Sequence, residues 1–425
     1  MLKLPFAIPV PGRHQVGGAP DGADALLVAA LAASTPGGVL HIARDELHMV
    51  RMTELLRFVA PDLTIIEFPA WDCLPYDRAS PHRDILARRI DALTRLASLP
   101  EDARGKLVVV TTVSAILQRV PEPASFALAG MVIKRGGELE QSRLIDYLVG
   151  KGYARSGTVG EAGEFAVRGG IVDLFPPGTQ MPLRVDFFGD EVEDLRLFDP
   201  LSQRSLGKVD EFALKPINEI ELTPEAIERF RTNYRSEFGT SGADDPLYEA
   251  ISAGRQYPGM EHWLPLFGTE LVSFADYLPR AIVTLDHQGD EAAKARYETI
   301  ADFYQARRDL QAADRESGAA VYRPLPVGRM YLTENAWRNL LDKRVTLALH
   351  PFQAPDEGGW LNGVGRFGKS FAEARANPDV NLYEAVAKLA REGASDVGAA
   401  AYGGEVKSFG RDCLIPQPFD PRLLV

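Results

Sequence analysis

The chain has 425 residues, of which 45% are hydrophobic and 25% charged, an ordinary composition for globular protein with room for roughly two to four domains. Its 47 Lys and Arg stand against 59 Asp and Glu, a formal net charge of −12, and an acidic surface of this kind repels duplex DNA, which is bound largely through its phosphates. With only Cys73 and Cys413 there is no disulfide framework, and no Cys/His cluster has zinc-ligand spacing.

No stretch reaches the roughly 20 apolar residues of a membrane span, and MLKLPFAIPVPGRHQ at the start is broken by prolines, unlike a secretory signal. A cytoplasmic protein without metal or cofactor is expected. Along the chain, Ala23–Ala33 carries a helix pattern and Val39–Ala43 a buried strand. Asp45–Phe58 is helical, Leu63–Phe68 a strand, Arg83–Leu99 an amphipathic helix and Lys106–Val113 a continuous β-branched run. Apolar strands alternating with helices predict a parallel sheet covered on both faces. After about Pro121 the rhythm changes: Gly163–Gly178 and Pro182–Pro200 are strand patterns broken by turn residues, with Gly189-Asp190 as a hairpin turn. Thr223-Pro224 opens a helix to Phe238, Ala281–Asp286 is a buried strand, and Gly289–Ser317 a long charged helix. Beyond about Arg344, one short strand (VTLALH) leads into a loop rich in Gly, Pro, Asp and Asn.

Two glycine-rich stretches invite comparison with a phosphate loop, which needs a Lys for the terminal phosphates and a hydroxyl for magnesium. In the first, Gly17 and Gly22 fall at the pattern's glycines, but Ala23 stands where the Lys belongs and Asp24 where the hydroxyl belongs, so phosphate would meet a carboxylate. The bland alternative is an ordinary Gly/Pro loop before a helix. The second, Gly363 to Lys369-Ser370, is complete as a string. It lacks a strand directly before it, and Asn377-Pro378 would stop the following helix within two turns, so it reads as a chance match.

Three segments carry a family resemblance. FPAWDCLPYDRASPHRDILARRIDAL (68–93) resembles the first motor subdomain of UvrB as it occurs in the bacterial transcription-repair coupling factors. GEFAVRGGIVDLFPPGTQMPLRVDFFGDEVEDLRLFDPLSQRS (163–205) is similar to the domain inserted in both UvrB and the coupling factors, and PGMEHWLPLFG (258–268) to the segment returning to the first unit. The resemblance implies an α/β fold in which a degenerate helicase-like, RecA-type parallel-sheet domain (1–122) carries an inserted small α+β UvrA-interaction domain (123–211). A second subdomain (212–345) and a partial third region (346–425) follow. It further implies a non-catalytic, UvrA-recruiting module without a cofactor. RNA polymerase and DNA would be engaged only through other parts of the family's chain, and ATP hydrolysed by a separate motor. The stretch 393–425 departs from the family pattern, and the chain is expected to be a truncated product.

In PLRVDFFGDE, alternation puts Leu183, Val185 and Phe187 on one face and Arg184, Asp186 and Phe188 on the other. The first set is a core face; the second sets an aromatic beside an arginine, a composition typical of interface hot spots. The resemblance places Arg168, Arg184 and Phe188 at UvrA-contacting positions, with Asp186 and Arg196 completing the patch. Against it stand a Phe188 packed under a loop, and arginines merely paired with Glu191 and Asp194. Arg184→Glu is expected to abolish UvrA binding with the fold intact. His82 and His262 have no nucleophile motif beside them and read as structural, and Trp71 and Tyr76 as packing residues of a turn. Arg88 and Arg89 could touch nucleic acid, but a solvated helix face with Asp84 and Asp91 as helical partners is the preferred expectation. The rivals are an ATP-dependent DNA-remodelling enzyme using Lys369 and Ser370, and a damaged-DNA-binding protein.

Overall fold

The computed structural model describes residues 3–366 apart from 128–130, 177, 215–217, 221, 240–244, 269–270, 318–320 and 356–357, and beyond them only 381, 383, 384 and 388. The expectations for Lys369, Ser370 and 393–425 therefore lie outside the described residues.

Seven strands form the first sheet, in the order Leu361–Asn362, Gly12–Gly17, Val345–Leu349, Ile282–Leu285, Val39–Ala43, Leu107–Thr112 and Thr64–Phe68, every neighbouring pair parallel. Alternation sends Leu40, Ile42 and Val109 into one core with the helix Arg83–Ser98, and Val39, Val108 and Val110 into another with the helices Ala23–Ser34 and Glu46–Val59. Both faces are dry, as a parallel sheet requires. The helix ends follow local chemistry: Asp45 caps Glu46–Val59 by accepting from His48 N at 2.9 Å, and Thr223 caps Pro224–Phe238 by accepting from Ala226 N at 3.2 Å.

Two strand placements differ from the sequence reading. Gly12–Gly17 pairs on both sides although Val16 is its only core residue. The strand Val345–Leu349, expected to lead into the third region, lies inside the first sheet between Gly12–Gly17 and Ile282–Leu285. It belongs there because Leu347 and Leu349 bury against the helices Ala23–Ser34 and Glu46–Val59.

A third cluster joins Trp71, Tyr76 and Leu86 to Phe230, Tyr234, Trp263 and Phe267. It fixes the return segment and the helix Pro224–Phe238 against the first unit. Arg89 sits nearby, and here the solvated-face expectation is corrected: its side chain is 0% exposed. It donates to Glu219 Oε1 at 2.8 Å and the Pro69 carbonyl at 2.9 Å, with its guanidinium 4.3 Å from the Phe68 ring. Arg88 instead pairs with Glu67 at 2.6 Å, while Asp84 meets His82 and Asp91 meets Arg95. Arg89 is not offered to nucleic acid, since a buried cation keeps a buried carboxylate rather than a phosphate, whereas Arg88, 39% exposed, keeps its pair with Glu67 at the surface.

The inserted unit is a six-stranded sheet ordered Ser205–Lys208, Glu191–Phe198, Leu183–Phe188, Ile171–Leu174, Glu164–Arg168 and Ala154–Arg155. The helix Gln141–Gly150 and the pair Met131–Lys134 with Glu211–Leu214 supply Ile133, Leu144, Leu148 and Leu214 to its core, which meets Phe165, Val172, Leu183, Val185 and Leu195 of the sheet.

Candidate functional site

Hairpin pairing between Leu183–Phe188 and Glu191–Phe198 sets the exposed face of the inserted sheet. Leu183 and Val185 are buried and Phe187 half-buried on the core side. On the other side the register aligns Asp173, Arg184, Arg196 and Lys208 in one row, and Arg168, Ile171, Asp186 and Asp194 in the next. A bulge between Asp186 and Phe187 precedes the Gly189-Asp190 turn, where Gly189 adopts φ +63°. Phe188, at the strand end, is 77% exposed. An aromatic ring left in water costs free energy that a partner recovers by covering it.

The arginines are not equivalent, and of the partners expected only Asp194 is met, by Arg196. Asp173, only 1% exposed at its side chain, receives Arg184 Nε at 2.6 Å and Nη2 at 2.8 Å, a bidentate pair, and Arg168 Nη2 at 3.2 Å. The hydrogen bonds from Arg184 to Asp173 raise that guanidinium above its ordinary value. Its plane lies 4.6 Å from the ring of buried Phe198, and its side chain is just 16% exposed. Arg184 is therefore a brace rather than a free cation, which corrects the picture of a guanidinium held out to solvent. It also gives Arg184→Glu a structural cost that the expectation of an intact fold did not include. Arg168, 48% exposed, remains reachable at the rim. Arg196 pairs with Asp186 and lies 3.7 Å from Asp194. The structure thus brings Arg168, Arg184, Asp186, Phe188 and Arg196 onto one face. Asp173 and Phe198 were missed, although alternation along IVDL would have put Asp173 opposite Val172 and Leu174, an acid on the arginine side.

The first glycine loop is occupied by its own chain. Gly22 caps the helix Ala23–Ser34 with φ +91°, and Asp24 Oδ1 accepts from Gly22 N and Ala25 N, both at 2.7 Å. A carboxylate at a helix N-terminus takes the position and the amide donors that suit a phosphate. Burial pushes this carboxyl up to about 7, helped by Asp21 and Asp286 and opposed by the two amides. Glycines of the second loop close the space from outside: Gly363 N donates to Gly17 O at 2.7 Å and Gly365 N to Gly18 O at 2.9 Å. A Cβ on Gly365 would lie 2.5 Å from Ala23 Cβ, and one on Gly17 2.4 Å from Ala354 N.

His262 is buried with its ring against Trp71 and Tyr76, and burial lowers it to about 4. Cys73 Sγ lies 4.0 Å from its Nε2, a neighbour that no local motif announced. Burial pushes that thiol up to about 12, so the proton stays on sulfur and the pair supplies no thiolate. His82 caps the helix Arg83–Ser98, its ring accepting from Asp84 N at 3.3 Å. Among the described residues no group of three or more His, Cys, Asp or Glu could hold a metal, and no helix is long and apolar enough to cross a membrane.

Comparison with known proteins points to one family. Residues 131–219 match the UvrB interaction domain. The chain is 36% identical over 324 residues, 75% of its length, to the transcription-repair-coupling factor of Escherichia coli strain K12. It is 32% identical over 301 residues, 70% of its length, to that of Haemophilus influenzae, and 32% identical over 272 residues, 60% of its length, to that of Mycobacterium tuberculosis. These stretches are 27%, 26% and 22% of those proteins, so the chain spans about a quarter of the length of the curated relatives it matches.

Proposed function

Because the chain is a coupling-factor-like N-terminal region containing a UvrB interaction domain, we propose that it is a non-catalytic recruiting module whose inserted domain docks UvrA. In a longer coupling-factor chain the module would link stalled RNA polymerase to nucleotide excision repair. The observation that carries this reading is Phe188, 77% exposed at the end of a strand whose arginine is locked by Asp173. An exposed aromatic on the same face as the reachable cation Arg168 forms an anchor with few side-chain torsions to lose on binding. The parallel-sheet domain acts as the scaffold. Its phosphate cradle holds the Asp24 carboxylate and the glycines of 363–365, which supports a role without nucleotide.

Calorimetric titration of the full chain with UvrA tests the proposal. Phe188→Ala should weaken binding by about 2 kcal/mol or more, the range of an aromatic hot spot, while leaving the unfolding midpoint unchanged. Undiminished affinity in that variant would refute the docking face, and tight binding of an ATP analogue by the wild-type chain would refute the nucleotide-free scaffold.

A further inference from the structure

The inserted domain has a concave feature on the layer opposite Phe188. Strand Met131–Lys134 and helix Gln141–Gly150 flank a cleft of about 640 Å³. Three cations line it, Lys134, Arg143 and Lys151, against one acid, Glu138. Lys134 pairs with Glu211 at 3.2 Å and Lys151 Nζ lies 5.6 Å from the Tyr147 ring. No ion pair engages Arg143 among the described residues. The wall is apolar where Tyr147 and Val132 contribute, and Val132 is 56% exposed. On a chain of net charge −12, this is a locally basic hollow with a hydrophobic lining.

The cleft is joined to the Phe188 face by hydrogen bonds around the edge of the domain. Leu139 N donates to Asp190 O at 2.7 Å, Gly136 N to Val192 O at 2.8 Å, and Val192 N to Gly137 O at 3.0 Å. Gln141 Nε2 donates to Gly169 O at 2.8 Å. The cleft rim is therefore tied directly to the two turns that follow Phe188 and Arg168. A stable interface covers about 800 Å² on each partner, more than one ring and one guanidinium supply, and these turns offer the short way for it to extend. We infer that the protein docking on Phe188 reaches over the Gly189-Asp190 turn and seats an acidic segment with an apolar anchor residue in this cleft. The carboxylates meet Arg143 and Lys151 and the anchor lies on Val132 and Tyr147. Nucleic acid fits less well, because three cations and an acid neutralise few phosphates and the apolar wall has no use for them.

This inference rests on the recruiting reading, and its test separates the two. The full chain is titrated with UvrA at low and moderate salt as wild type, Phe188→Ala, Arg143→Glu/Lys151→Glu, Arg143→Ala and Arg143→Lys. The double reversal should weaken binding about tenfold and flatten its salt dependence, as rim charges do. Arg143→Ala should fall between, Arg143→Lys should stay near wild type, and the unfolding midpoints should coincide. Wild type and Phe188→Ala behaving as the docking face requires, with the double reversal and Arg143→Ala both within twofold of wild type and equal in salt slope, would overturn the cleft alone. If the double reversal does not fold, Arg143→Ala decides by itself. A wild-type chain that fails to bind UvrA would overturn the recruiting reading and the cleft together.

Discussion

Asp173 holds the exposed face of the inserted sheet in shape. Its carboxylate is withdrawn from water and offset by Arg184 through two hydrogen bonds and by Arg168 through a third. A buried pair of this kind gains little over an apolar replacement, yet removing one partner leaves an uncompensated charge at a cost of about 3–5 kcal/mol. Arg184→Glu sets two carboxylates against each other and should destabilise the inserted domain by at least that amount, seen as an early transition in urea unfolding. Arg168→Ala, at a half-exposed pair, should cost about 1 kcal/mol or less. Loss of partner binding in an Arg184 variant would then report unfolding, whereas Phe188→Ala reports the contact itself. Asp173 was missed and Arg168 was placed by the resemblance, but sequence alternation assigned Arg184 and Phe188 a face, because the period of two is a local property. It did not assign their partners: Arg89 has the same look as Arg88 in RDILARRIDAL, and only the approach of Glu219, distant in the chain, makes one a buried ion and the other a surface one.

At the level of elements, the segment after Val345–Leu349 acts as a strap over the first glycine-rich loop. Gly18 N donates to Phe352 O at 2.6 Å, Ala19 N to His350 O at 2.8 Å, and the glycines at 363 and 365 bond back to Gly17 and Gly18. Gly365→Val would drive its side chain into Ala23 and the Gly18 carbonyl, 2.5 and 2.6 Å from the Cβ position. The strap should lift locally, losing two backbone hydrogen bonds worth about 1 kcal/mol each. Faster amide exchange at Gly363 and Gly365, with the central strands still protected, would show it; unchanged exchange would refute the strap. ATP should remain unbound in this variant, because the Asp24 carboxylate still holds the helix amides. Gly363, which falls at a phosphate-loop glycine, and Gly365, which does not, are glycines for the same physical reason: close backbone approach demands glycine whether the neighbour is a phosphate or a carbonyl. The apolar strands of this sheet were legible for the opposite reason, since burial on both faces writes itself as an unbroken run in Leu107–Thr112. Gly12–Gly17 was not, since its stability comes from pairing with strands near residues 345 and 361 rather than from its own side chains.

For the whole molecule, three buried groups set opposing responses to acid. His41, hydrogen-bonded to Thr284 at 3.0 Å, and His262 are each lowered to about 4 by burial; Asp286 works against the shift at His41, and Asp77 against and Arg307 with it at His262. Below about 6.5 the unfolded chain binds protons at both histidines while the folded chain does not, so stability falls as pH falls from about 6.5 towards 4. Asp24 works in the reverse sense. Raised from 3.8 to about 7, it keeps its proton in the folded chain where the unfolded chain has released it, so stability falls as pH rises from about 4 to 7. Across that window the unfolded chain binds two extra protons and the folded chain one, a net slope of about 1.4 kcal/mol per pH unit from these groups. Asp24→Asn deletes the opposing proton while leaving an oxygen to accept from Gly22 N and Ala25 N. Its slope between pH 4.5 and 6.5 should be steeper than wild type by about 1.4 kcal/mol per pH unit, and it should be the more stable protein at pH 7. Urea unfolding of both proteins at several pH values measures the difference, in which all the other titrating groups cancel. Parallel slopes would mean that Asp24 is ionised in the folded chain and that the helix N-terminus carries a full negative charge, as a bound phosphate would.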